Sequence, residues 1–238
     1  KLNGSGSQVV HIAGLGEIKS LKVINFENTG VSSISGIAGL DNVDSLIFNR
    51  TLVKDISALN ELGSFKLAYF DSSRVTDEDV LKIDYDESES ILVYKSEKLR
   101  SWWGNMEDKW QDIFTNEMQL TNRPSSEQLH QLAARKSIAV SETSLRSLQL
   151  IPEFIRLESL IFSKTRINSL YPLVGLTKLK VLECPRNPIS EIDPLASLKT
   201  LEVLDLNQTQ VSKLDPLATL PNLKELTFSG TNVKDLSP

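Results

Sequence analysis

Two histidines, His11 and His130, one cysteine, Cys184, and an acidic stretch from Asp84 to Glu89 are the residues of this 238-residue chain from which chemistry could be built. A cysteine nucleophile needs a nearby base, and no histidine lies near Cys184. No His, Cys and carboxylate set stands at metal-ligand spacing. The acidic stretch lacks the invariant glycine turn of a calcium loop and reads as a solvated loop. Gly14-Leu15-Gly16 and Gly36-Ile37-Ala38-Gly39 match neither a P-loop nor a dinucleotide fingerprint. Nothing assembles acid, base and nucleophile, so the chain is expected to be no enzyme and to hold no cofactor or metal. A net charge of −5 without a basic cluster argues against a nucleic-acid partner. One cysteine excludes an internal disulfide framework. No apolar run approaches the ~20 residues that span a bilayer, and Lys1–Ser7 offers no apolar signal core.

What the composition does carry is 36 leucines against 15 aromatic residues, and that imbalance points to a repeat. Leu157, Leu179, Leu201 and Leu223 lie 22 residues apart. Taking each as position 1, position 4 is Leu160, Leu182, Leu204 and Leu226, and position 6 is Phe162, Cys184, Leu206 and Phe228. Position 9 is Thr165, Asn187, Thr209 and Thr231; position 11 is Ile167, Ile189, Val211 and Val233; position 14 is Leu170, Ile192, Leu214 and Leu236. A copy from Arg135 fits the same frame, with Thr143 at position 9. Copies from Leu21, Val43 and Phe65 place Phe26, Phe48 and Phe70 at position 6, and Leu2–Ile18 fits a copy whose start is missing. Positions 4 and 6 alternate with 3, 5 and 7, which is strand periodicity with Leu and Phe inward. The position-9 hydroxyl is placed to bond backbone groups that the following turn leaves unpaired, and a stack of them would satisfy adjacent coils in series. Positions 14, 17 and 20 return apolar side chains to the core. Proline at position 16 resists a long helix there, so the return side should be 3₁₀ or irregular. No coil buries its own face, so each depends on its neighbours. In this frame Cys184 is a small buried hydrophobe.

The pattern resembles the leucine-rich repeat in its 22-residue SDS22-like and internalin-like form, in a bacterial subgroup where Thr replaces the usual position-9 Asn. Asp193-Pro194-Leu195 and Asp215-Pro216-Leu217 fit that subgroup's tail. The resemblance covers nearly the whole chain except about residues 95–134. It implies an α/β fold, a right-handed solenoid with parallel strands on the concave face, and a bacterial surface or periplasmic setting, with a lipoprotein as one form. The organisation expected is N-terminal repeats over 1–94, a two-helix insert over 95–134 and C-terminal repeats over 135–238, in one continuous solenoid. Within the insert, Leu99, Trp103, Met106, Trp110 and Ile113 share one helical face. Ser125 and Gln128 form a capping box for a second helix, Ser126–Arg135. Upstream, Thr76 and Asp79 cap a short helix over Thr76–Lys82. Trp103 and Trp110 have the spacing of core anchors rather than of a contact surface.

The frame also lines up the outward residues. Position 5 reads Asn25, Ile47, Tyr69, Ile91, Ala139, Ile161, Glu183, Asp205 and Thr227, apolar in its middle and polar at its ends. Stacked coils about 4.8 Å apart turn such a column into a row across one sheet. The row predicts a protein-binding surface centred on Ile47, Tyr69, Ile91 and Ile161, with Asp71, Arg74, Lys164 and Arg186 on its rim. The alternative is that the insert or a neighbouring domain covers the strip. The chain starts at position 3 of one coil and stops at position 16 of another without a polar cap, which suggests a segment of a longer protein. The function expected is a non-catalytic protein-interaction module with an unnamed protein partner. A second possibility is a substrate-recruiting or regulatory module, phosphatase-regulator-like, of an enzyme whose catalytic domain lies elsewhere.

Overall fold

The computed structural model describes residues 1–141 and 144–235. Thr143 and Leu236, placed in the repeat frame above, fall outside those residues. Ten strands form two separate five-stranded parallel sheets, in the orders β1-β2-β3-β4-β5 and β10-β9-β8-β7-β6. The first holds β1 (Leu2–Asn3), β2 (Val23–Asn25), β3 (Val43–Ile47), β4 (Phe65–Tyr69) and β5 (Ile91–Val93). The second holds β6 (Ser137–Ser141), β7 (Ser159–Ser163), β8 (Val181–Glu183), β9 (Val203–Asp205) and β10 (Glu225–Thr227). The chain divides into two compact units, one of Lys1–Asn105 with Leu120–Leu132, the other of Met106–Gln119 with the chain from Ala133 onward. Each unit is a stack of repeat coils around its own core.

In the first unit the 22-residue period sets the register, pairing Ile24 with Leu46 and Leu46 with Ala68. The position-6 phenylalanines are buried and stack coil on coil, Phe26 on Phe48 at 6.0 Å and Phe48 on Phe70 at 5.8 Å. In the second unit Leu160 pairs with Leu182 and Leu182 with Leu204. Cys184 is fully buried among them, and burial pushes its thiol far up from the usual range. The return side of the coils runs through short 3₁₀ turns such as Asp193–Ser197 and Asp215–Thr219, each with proline in its first two residues. Two glycines of the Gly14–Gly16 and Gly36–Gly39 stretches serve close backbone contact. A Cβ on Gly16 would stand 2.0 Å from the Ala38 carbonyl oxygen, and one on Gly36 2.0 Å from that of Ile12.

Eight of the ten strands lead into a left-handed residue at position 8. These are Asn28, Arg50, Ser72, Lys164, Arg186 and Gln208 with φ between 52° and 58°, and Gly6 and Gly230 with φ 68° and 70°. The turn has a purpose. It aims the position-8 N–H at the position-7 carbonyl of the next coil, Arg50 N to Asp71 O at 2.8 Å and Gln208 N to Ser229 O at 2.7 Å. Position 9 then closes the turn. Thr29, Thr51 and Thr209 donate to the carbonyls of Phe26, Phe48 and Leu206, each at 2.7 Å and each inside its own coil. The serial bonding expected between coils is made differently, by Asn187. Its amide donates to Cys184 O in its own coil and to Phe162 O in the preceding one, and its Oδ1 accepts from Thr165 N at 2.9 Å and Thr165 Oγ1 at 2.6 Å. The hydroxyls of Thr29, Thr51 and Thr209 each spend their one proton inside their own coil, whereas an amide carries two N–H donors and an acceptor at its tip.

The helical segment departs from the two helices anticipated. α1 (Asp77–Val80) has its Thr76–Asp79 capping box. Then come α2 (Ser96–Gly104), α3 (Asp108–Met118) and α4 (Ser126–Ala133). The single amphipathic helix read from Leu99 to Ile113 breaks at Asn105, whose side chain donates back to Ser101 O at 2.8 Å and competes with helix continuation. α4 has the expected box, with Ser125 N on Gln128 Oε1 and Gln128 N on Ser125 Oγ. Compactness assigns α2 to the first unit and α3 to the second. Trp103 and Trp110 are both buried, and Trp110 donates to Ser147 O at 3.0 Å while stacking on Phe114, which meets Phe154 at 5.7 Å.

Two outcomes test this account. Replacing Asn187 with Ala strands several buried backbone groups and should cost about 2–4 kcal/mol, against about 1 kcal/mol for Thr209→Val, which strands one, as read by urea unfolding. At the left-handed Gln208, a β-branched residue should lower stability by about 1–2 kcal/mol while Gln208→Gly holds it.

Candidate functional site

The candidate site begins with the outward residues of β3 and β4. Ile47 pairs with Tyr69 in the sheet and both are half-buried. The next member of that row differs from the sequence expectation. Tyr69 is aligned with Val93, and Ile91 is aligned with Leu67, one column away. The cause is the coil between β4 and β5. It aligns Ala68 with Leu92, a step of 24 residues, because its return segment is the capped α1 rather than a 3₁₀ turn. A slip of two residues keeps Ile91 on the same face and moves it to the neighbouring column. Val93, which takes its place, is fully buried.

The row also does not run through all the strands, since β5 and β6 belong to different sheets. In the second unit Ile161 pairs with Ala139 and Glu183 and is half-buried. Lys164 and Arg186 are exposed at the left-handed turn position, with φ of 52° and 58°, and Arg186 Nε donates to Gln208 Oε1 at 3.2 Å. Arg74, in the first unit, is exposed.

Two of the expected residues are engaged by the helical segment. Tyr69 Oη donates to Glu127 Oε1 of α4 at 3.0 Å. Burial and that carboxylate push the phenol up to about 12. Asp71 receives Ser96 N at 2.8 Å and Ser96 Oγ at 2.5 Å, so it holds the first turn of α2 rather than standing free on a rim. Asp71 also lines a groove of about 510 Å³ with Glu27, Arg50, Lys95, Glu97 and Arg100 among its walls. Beside it, Asp77 receives Lys95 Nζ at 2.7 Å and the Tyr94 hydroxyl. Burial raises the Asp77 carboxyl, but these two donors outweigh burial and hold it below the usual carboxylate range.

Sequence reasoning overlooked three features of these surfaces. His130 is buried against the chain entering α2, a placement the repeat frame does not reveal. The left-handed column had a signal in Gly6, Asn28 and Gly230, residue types that favour such turns. Position 2 alternates in charge, with ion pairs Lys66–Asp44 at 2.7 Å, Lys180–Glu158 at 2.7 Å and Lys224–Glu202 at 2.6 Å, a pattern legible in the repeat frame. Among the described residues no group of three or more His, Cys, Asp and Glu could hold a metal ion, and no helix is long and apolar enough to cross a membrane.

Parallel strands, one per 22-residue coil, closed by a left-handed turn and returned through 3₁₀ segments, make the fold an α/β leucine-rich-repeat solenoid. Residues 199–238 match the family model described as leucine rich repeats in two copies. Comparison with curated proteins gives no match. Among solved structures, the chain is similar to an internalin (inlF) from Listeria monocytogenes, with 21% identity and a TM-score of 0.43 over 97% of this chain and 61% of that one. It is also similar to a leucine-rich-repeat protein of Leptospira interrogans, with 17% identity and a TM-score of 0.42 over 96% of this chain and 60% of that one. The chain thus spans about three fifths of the length of each of these two proteins.

The Asp77 cluster gives a pH test. A carboxyl lowered by folding contributes stability that is present above its unfolded value of 3.8 and is lost as pH falls through the lowered value. Asp77→Asn should therefore remove about 1 kcal/mol at neutral pH, after allowance for solvent screening, and flatten the stability loss below about pH 4. Thermal unfolding across pH reads both.

Proposed function

We propose that this protein is a non-catalytic interaction module that captures a protein partner on the outward strand faces of its repeat arrays. The observation that carries the reading is the run of half-buried apolar side chains on the first array, Ile47 and Leu67 with Tyr69, where a solvated strand face would alternate to polar residues. Asn25 and Asn49 border it, which is the apolar-centre, polar-edge arrangement of interfaces. Arg74, at the edge of this array, belongs to that surface. On the second array Ile161, Lys164 and Arg186 supply the corresponding contacts. Leucine-rich-repeat folds commonly serve protein recognition, because stacked coils present long rows of independently variable side chains. An extracytoplasmic, bacterial surface setting belongs to this reading, on the strength of the 22-residue, Thr-bearing repeat and its resemblance to the internalin-like form.

The test is capture of a partner from the source organism by the intact chain, with Ile47→Asp as the control. Ile47 is an outward, half-buried strand residue, so the charge should abolish capture, a loss of at least about tenfold, with little change in unfolding midpoint. Unchanged capture with unchanged stability sinks the reading. Tyr69→Phe should reduce capture less, since it keeps the ring.

A further inference from the structure

His130 is a buried titratable group that the binding surface does not use, and its surroundings give it a task. It lies on α4, 4% exposed, and its Nδ1 donates to Ser126 O at 2.6 Å within the helix. That leaves Nε2 as an acceptor, and two backbone donors point at it: Tyr94 N at 3.2 Å and Lys95 N at 3.4 Å, where the chain leaves β5 and enters α2. An imidazole can accept there only while neutral. Three residues before it on α4, Glu127 holds the Tyr69 hydroxyl. The same helix therefore both bonds the entry of α2 and covers the phenol at the centre of the proposed binding face.

We propose that His130 is an acid-released latch: protonation of Nε2 sets an N–H against two N–H donors, detaches α4 from the β5–α2 junction, and uncovers Tyr69 for the partner. The regulation rests on the reading of the strand face as the binding surface; the latch itself does not. The charged groups facing the imidazole are Asp71 at the end of β4, Lys95 at the entry of α2 and Glu127 on α4. Burial dominates and holds the imidazole below its ordinary value. The Ser126 carbonyl and Asp71 pull the other way, Lys95 adds to the lowering, and Glu127 opposes it. A group so lowered gives stability that is present above its unfolded value of 6.5 and is lost as pH falls through the lowered value. The release window therefore lies below neutrality.

Hydrogen exchange of the full chain, corrected for intrinsic rates, tests the latch without any partner. Between about pH 7.5 and about pH 5.5, the amides of Tyr94 and Lys95 and the α4 segment should lose protection by about tenfold while β3 and β4 keep theirs. His130→Gln offers a carbonyl acceptor that does not titrate, and should remove the pH dependence. His11→Gln should leave it intact. An acid step that is absent in the wild-type chain, or that survives in His130→Gln, overturns the proposal. If His130→Gln fails to fold, a titration of the two histidine rings in the wild-type chain decides. The His130 resonance must move together with the Tyr94 and Lys95 amides, and their independence is fatal to the latch. Partner capture that fails at every pH while this exchange pattern holds removes the binding reading and leaves the latch.

Discussion

The structure depends on one constraint: each coil must hand its backbone donors to the next coil in register, because a single coil has no partner for them. Phe26 N donates to Ile47 O, Phe48 N to Tyr69 O, and Phe70 N to Val93 O; Cys184 N donates to Asp205 O and Leu206 N to Thr227 O in the other array. The left-handed residue at position 8 extends that ladder by one rung at the point where the strand ends. Arg50, Lys164 and Gln208 are unfavourable there by side-chain type, so the inter-coil bond and the packing around it must outweigh about 1–2 kcal/mol of local strain at each such site. Once that turn is fixed, the position-6 side chain is fixed inward and the position-5 and position-7 side chains outward.

The same constraint explains why polar contacts gather beside the helical segment. A coil that follows the 22-residue rule offers its outward face in step with its neighbours. The coil containing α1 takes 24 residues, and the slip of β5 moves Ile91 out of the row and brings in Val93. The helices that follow are bonded to this disturbed edge through polar contacts, Asp71 to Ser96, Asp77 to Lys95 and Tyr94, and His130 to the chain entering α2. Each bond joins residues far apart in sequence, and those to Asp71 and His130 satisfy backbone donors that the end of a strand or the start of a helix would leave open. The site is thus less a free apolar strip than a strip with a polar clasp at one end. Exposed ion pairs such as Lys66–Asp44 contribute little by comparison, since solvent screens them.

Much of this was determined by the sequence alone. The period located the strands to within a residue or two, placed Phe26, Phe48, Phe70 and Cys184 inward, put proline-bearing 3₁₀ turns on the return side, and found the caps of α1 and α4. These follow from local periodicity and capping chemistry, which a sequence carries in full. Tertiary structure alone decided the rest. The slip of β5 came from the length of a helical return. The division of the strands into two sheets, the engagement of Tyr69 and Asp71, and the burial of His130 all depend on which donors meet which acceptors across dozens of residues. A repeat frame fixes spacing along the chain. It cannot say which polar groups an interruption will cover, because that is settled by where unsatisfied backbone at the broken register finds its partners.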